Sequence, residues 1–135
     1  MKKFNIKNNL PDNLGHFEDT RGTITDIFYN TNLNHVAIIN SVPNAIRGNH
    51  YHAKSVQHIY IILGSLEYWY KDTNMQKSEY ELCLPGDVIT SDMGEIHALR
   101  IGDQGCLFMA FTEGLRGGQD YESDTYRVHN IISSI

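Results

Sequence analysis

The chain has 135 residues, a hydrophobic content of 41% and a formal net charge of −5, which suits one ordinary domain over residues 1–135 with its own core. No apolar run approaches the length of a membrane span, and the scattered acids and bases exclude the basic stripe with which a nucleic-acid surface displaces counterions. Met1-Lys2-Lys3-Phe4-Asn5 runs from basic straight into polar, without the apolar stretch of a secretory signal, so the expected compartment is the cytoplasm.

In chain order, short β-type runs alternate with turn residues. Thr23 to Tyr29 comes first, then His35 to Ile39, Ser55 to Leu63, Leu66 to Tyr70, Glu79 to Leu84, Asp87 to Ser91, His97 to Ile101 and Cys106 to Thr112. Their breaks include Val42-Pro43-Asn44, Leu63-Gly64-Ser65, Pro85-Gly86-Asp87 and Gly102-Asp103-Gln104-Gly105. Evenly spaced runs rich in Ile, Val, Tyr and Thr predict an all-β sandwich or barrel. No segment carries a helical apolar period.

Alternation along these runs decides which side chains meet. Gln57, Ile59 and Ile61 share one face, and His58 and Tyr60 share the other. His50 and His52, two apart, also share a face, which would project two imidazoles and an amide into one cavity. Trp69 falls opposite Tyr68 and Tyr70, so only part of that aromatic cluster can face inward. Cys83 and Cys106 sit in apolar runs without CxxC spacing and read as reduced core residues.

The segment Arg47-Gly48-Asn49-His50-Tyr51-His52, with Gln57 and Gly64 after it, resembles the first motif of the cupins, with Gln57 in place of the usual Glu. Gly86, Gly94 and His97 resemble the second motif. The resemblance implies an RmlC-like jelly-roll β-barrel. Asp19-Thr20-Arg21-Gly22 and Arg47-Gly48-Asn49-His50 further resemble the cupins that act on nucleotide-linked keto sugars. The 3,4-ketoisomerases of dTDP-4-keto-6-deoxyglucose match best at Arg47, His50, His52 and Gln57. The 3,5-epimerases carry Gln where this chain has His52. The cupin domain of certain capsular-polysaccharide enzymes is similar across Arg47 to His52. Residues Asp120 to Arg127 loosely resemble the acidic tail of the ketoisomerases.

What the resemblance implies is a homodimer, often with an exchanged N-terminal strand, acting on a nucleotide-linked keto sugar in polysaccharide biosynthesis. A base would take the proton beside the sugar carbonyl, and the resulting enediolate would be reprotonated at the neighbouring carbon. Imidazole suits this because its pKa lies near working pH. The expected assignment is His52 as base, His50 and Arg47 on the enediolate oxygen, and His97, Gln57 and Arg21 as further substrate contacts. Gln57 is a neutral amide where a cupin metal site commonly uses a carboxylate, so a metal-free site is favoured. Three imidazoles would still suffice for a divalent Zn, Ni or Mn held by His50, His52, Gln57 and His97. The alternatives are a keto-sugar epimerase and a non-catalytic, metal-binding or sugar-binding cupin. His16, His35, His58 and His129 lack motif context and read as surface or packing residues.

Overall fold

In the computed structural model, which describes residues 1–133, one pair of long strands organises the rest. They are β6 (Val56–Lys71) and β9 (Ile96–Glu113), antiparallel from Val56 opposite Glu113 to Lys71 opposite Ile96. Their halves belong to different layers. The first half of β6 and the last half of β9 lie with β8 (Asp87–Ser91), β1 (Lys2–Asn5) and β4 (His35–Ser41). The other halves lie with β7 (Glu79–Cys83), β5 (Ile46–Tyr51) and the two-residue β10 (Tyr126–Arg127). The result is a jelly roll of two antiparallel layers. Outside it, β2 (His16–Asp19) and β3 (Gly22–Thr25) form a separate two-stranded hairpin.

The runs expected at Ser55 to Leu63 and Leu66 to Tyr70 are one 16-residue strand, and those at His97 to Ile101 and Cys106 to Thr112 are one of 18 residues. The glycines between them turn a corner, after which the same two strands resume their pairing. The register of β6 on β9 shifts between Ile61 and Leu63 and again between Gly64 and Leu66, as at bulges that carry a strand from one layer to the next. Gly64 is left-handed at φ 81°, and a Cβ there would stand 2.1 Å from the Gly105 carbonyl oxygen. The expected strand from Thr23 to Tyr29 stops at Thr25, because Phe28 leaves the hairpin to pack against His58 and Phe111.

The core lies between the layers, built from Ile59, Ile61, Leu66, Tyr68, Ile89, Leu99, Ile101 and Phe108. Burying each aliphatic chain contributes roughly 1.5–3 kcal/mol. Cys83 and Cys106 are buried free thiols in the same core. Burial pushes them up to about 12 and about 11 respectively, which leaves both inert. Among the described residues no helix is long and apolar enough to cross a membrane.

Gly64→Ala is expected to cost at least ~2 kcal/mol, since backbone meets backbone at a corner both layers share. Gly94, also left-handed but with nothing within 4 Å of a built Cβ, should cost only about 1 kcal/mol on the same substitution. Urea denaturation of the two variants measures the difference.

Candidate active site

A β-bulge creates the site. In β5, Gly48 pairs with Ala98, but His50 pairs with His97, so Asn49 is an extra residue. Gly48 and Asn49 hold φ values of 86° and 57°. Gly48 has no alternative, because a Cβ would meet the His97 carbonyl oxygen at 2.8 Å. In an unbulged strand Arg47 and His50, three apart, would point to opposite faces, and His50 would miss His97. The extra residue brings Arg47, His50 and His97 to the inner face together.

There the layers enclose a cavity of about 300 Å³. One layer supplies Arg47, His50, Tyr68, His97 and Leu99, and the other supplies Gln57, Ile59, Ser91 and Phe108. Arg47 Nε donates to Ser41 Oγ at 2.7 Å. Tyr68 stacks parallel to His97 at 6.0 Å and donates its hydroxyl to Glu95 at 2.9 Å, which fixes the plane His97 rests on. Trp69 faces away from the cavity and packs on Tyr80 and Arg100, as alternation requires.

The three imidazoles form one cluster. Their centroids lie 4.8 Å apart for His50 and His52, 4.8 Å for His50 and His97, and 5.3 Å for His52 and His97. His50 and His97 line the cavity. His52 stands one ring behind them, only 2% exposed. His50 Nδ1 and His52 Nε2 are buried and have no hydrogen-bond partner among the described residues. Burial, then the proximity of His52, Arg116 and Arg127, pushes His50 down to about 3. Burial also lowers His52, against the pull of the Asp124 carbonyl, and holds His97 well below its usual range. The cluster is therefore neutral at neutral pH, with lone pairs available.

Those lone pairs fit a divalent cation. One ring nitrogen from each of His50, His52 and His97 lies within 4.8 Å of the others, and Gln57, which lines the same cavity, would offer its amide oxygen as a weak fourth donor. A cation held there would act as a Lewis acid toward a bound carbonyl oxygen.

The C-terminal segment, marked beforehand only by the loose resemblance of Asp120 to Arg127, borders the cavity. Arg116, Tyr121, Glu122, Thr125 and Arg127 all line it. The segment is held to β5 by β10, by Val128 N–H donating to the Asn49 carbonyl at 2.9 Å and by Ile131 N–H donating to Asn49 Oδ1 at 2.9 Å. Tyr126 stacks on Tyr51. The available signal was two arginines flanking an acidic, tyrosine-bearing run, and nothing in that composition says where the run folds back. Ile131 and Ile132 line a shallow groove beside Lys71 and Ile96, whereas Ile135 lies outside the described residues.

Arg21 does not join the site within the chain. It is exposed on the β2–β3 hairpin, paired with Asp19 at 2.7 Å, and borders a separate groove, because among the described residues that hairpin pairs only with itself. His58 lies outside the cavity too. It bridges Thr90 at 2.7 Å and Glu113 at 2.8 Å, a packing role.

Two layers joined by bent strands, with a histidine pair at the end of one strand and a third histidine opposite on its neighbour, define a cupin of the RmlC-like jelly-roll kind. A family model for the polysaccharide biosynthesis C-terminal domain matches residues 17–113, and the chain belongs to that family. None of the curated proteins compared with the chain matches it. Among solved structures it is similar to the capsular polysaccharide assembling protein CapF from Staphylococcus aureus, with a TM-score of 0.64 at 19% identity over 89% of this chain. The chain spans 33% of CapF's length. A 3,4-ketoisomerase from Helicobacter canadensis gives a TM-score of 0.72 at 16% identity, covering 95% of this chain and 90% of that one. QdtA, a sugar 3,4-ketoisomerase from Thermoanaerobacterium thermosaccharolyticum in complex with TDP, gives 0.67 at 18%, covering 86% and 85%. At these identities the likeness speaks for the fold.

The neutral histidines set a pH dependence of stability. The unfolded chain binds a proton at His50 near 6.5, whereas the folded chain resists it until about 3, so stability is lost as pH falls below about 6.5. Thermal melts from about pH 7 to about pH 4.5 should show a falling midpoint, with a shallower fall in His50→Gln.

Proposed function

We propose that the chain is a nucleotide-sugar isomerase that moves the carbonyl of a 4-keto-6-deoxy sugar from C4 to C3. The observation that carries this reading is the uncharged cluster of three imidazoles at the inner end of a cavity bordered by Arg47, Arg116 and Arg127. The likeness to two sugar 3,4-ketoisomerases, one of them bound to TDP, supports it, as does membership of a polysaccharide biosynthesis family.

In this reading the diphosphate engages arginine, whose planar donors suit phosphate oxygens. The sugar enters toward Gln57, His50 and His97. The C3 proton passes by way of His50 to His52 Nε2, the base, giving an enediolate across C3 and C4. The hydroxyl proton of O3 passes to O4, and reprotonation at C4 leaves the ketone at C3. The His50 N–H and the Arg47 guanidinium stabilise the oxygen on which charge develops. His97 relays or positions. Because His50 lines the cavity and His52 stands behind it, the proton path runs through this pair, and single variants separate their shares.

A second reading is a metal-binding cupin, favoured by the mutual approach of the three ring nitrogens. The homodimer is part of the first reading. Phe17 pairs with Ile24 across the β2–β3 hairpin, and they are 64% and 67% exposed. A lone two-stranded hairpin is marginal in water. Among the described residues β4 pairs only with β9, and it turns Val36 and Ile38 to solvent, a bare edge of the kind another chain pairs with. A second copy would cover both.

With dTDP-4-keto-6-deoxyglucose in deuterated water, NMR should show the ketone moving to C3, and His52→Asn should reduce turnover at least ~100-fold with binding retained. Full turnover in His52→Asn alongside loss in His50→Asn would transfer the base role to His50, and deuterium at C3 or C5 with inversion would mean epimerisation. One equivalent of zinc, nickel or manganese in chelator-free protein, lost in His97→Ala, would favour the metal-binding reading instead.

Light scattering of the full chain should give twice the 15.4 kDa protomer mass, and the Phe17→Asp, Ile24→Asp double variant should shift it to monomer. A wild-type monomer would remove the dimer from this reading.

A further inference from the structure

Two groups compete for the outer nitrogen of His52. The Asp124 backbone carbonyl lies 2.8 Å from Nδ1, and Arg116 Nη1 lies 3.1 Å from the same atom. The carbonyl can only accept, so it requires a proton on Nδ1 and leaves the lone pair on Nε2, facing the other two rings. The guanidinium can only donate, so it requires the lone pair on Nδ1 and places a proton on Nε2. One tautomer offers a base to the cluster and the other a donor.

The fold weights this contest through the Asp124 side chain. Its carboxylate accepts from Ala53 N–H at 3.0 Å, Lys54 N–H at 2.9 Å and Ser55 Oγ–H at 2.9 Å. These are the three residues directly after His52. The same residue therefore clamps the turn that follows the histidine and presents its own carbonyl to the ring. Arg116 Nη1 meanwhile has another acceptor, Thr125 Oγ1 at 3.1 Å, so it is satisfied without taking Nδ1.

We infer that Asp124 is a positioning residue that holds His52 in the Nδ1–H tautomer against Arg116, so that the C-terminal segment decides whether the buried histidine presents a lone pair or a proton to His50 and His97. The inference rests on the proposed function for its catalytic consequence, but the tautomer itself is a property of the folded chain. Orienting groups of this kind hold a general base in its working tautomer, and their loss lowers turnover by orders of magnitude with little change in binding.

The test uses the full chain with ¹⁵N-labelled histidine and reads the tautomer of His52 by imidazole nitrogen shifts. Wild type should be predominantly Nδ1–H. Asp124→Ala should shift His52 toward Nε2–H and lower kcat about 10–1,000-fold with KM changed less than about threefold. Ser55→Ala, which removes one of the three bonds and threatens folding less, should move both readouts the same way by a smaller amount. Replacing Arg116 by Met in the Asp124→Ala background should restore Nδ1–H, because the competing donor is gone. Adding Asp124→Ala to His52→Asn should cost nothing further. An unchanged tautomer in folded Asp124→Ala and Ser55→Ala overturns the inference. So does a kcat loss that multiplies with that of His52→Asn. If wild type turns over no keto sugar, the function reading fails, while the tautomer measurements still decide this one.

Discussion

Strands β6 and β9 pair with each other from Val56 opposite Glu113 to Lys71 opposite Ile96, interrupted only at the corner, where residues 102–105 of β9 have no partner on β6. They can do so while passing from one layer to the other only because the chain bends where Gly64 crosses Gly105. With a side chain at Gly64 the strands could not approach closely enough to keep both halves in register. Every other strand of the jelly roll is added to this pair or to a strand already on it. The inner ends of both halves face each other across the core, and that opposition is what sets Gln57 and Ser91 against His50 and His97.

A second constraint operates at the scale of one residue. The bulge at Asn49 shifts β5 against β9, and Arg47, His50 and His97 share a face only because of that shift. The cavity that results carries an unusual electrostatic balance. Three imidazoles are brought together with no carboxylate among them, since Gln57 occupies the position where cupins commonly carry Glu. Burial and mutual repulsion keep the rings uncharged, and positive charge is confined to arginines at the cavity wall. Neutral bases beside fixed cations suit a reaction in which a proton leaves carbon and negative charge grows on oxygen.

Much of the fold was legible. The strand runs, the inward face of Gln57, Ile59 and Ile61, the outward turn of Trp69 and the buried, reduced cysteines follow from alternation and composition, which depend on neighbours in sequence. The merged long strands were not legible, because a glycine that bends a paired strand and one that ends a strand look alike without the partner. Of the site, His50, His52, His97, Gln57 and Arg47 were legible through motif spacing, and all are brought together. Arg21 shares a similar Arg-Gly context yet stays on the detached hairpin. Residues Asp120 to Arg127 showed only a loose resemblance and Arg116 none, and their part in the site was not legible, since they reach His50 and His52 from more than sixty positions away in sequence.

The sequence by itself determined the class of fold and the chemistry on offer: alternating β-runs, a histidine pair with a third histidine downstream, and an amide in place of an acid. Those are properties of residue type and short-range spacing. Tertiary structure alone decided which side chains could act together. Face and register at Arg47 and His50 depend on one bulged residue, whose presence is a matter of pairing with β9. The proton placement on His52 depends on a carbonyl and a guanidinium delivered by the C-terminal segment, and a hydrogen bond between distant residues has no local pattern to announce it.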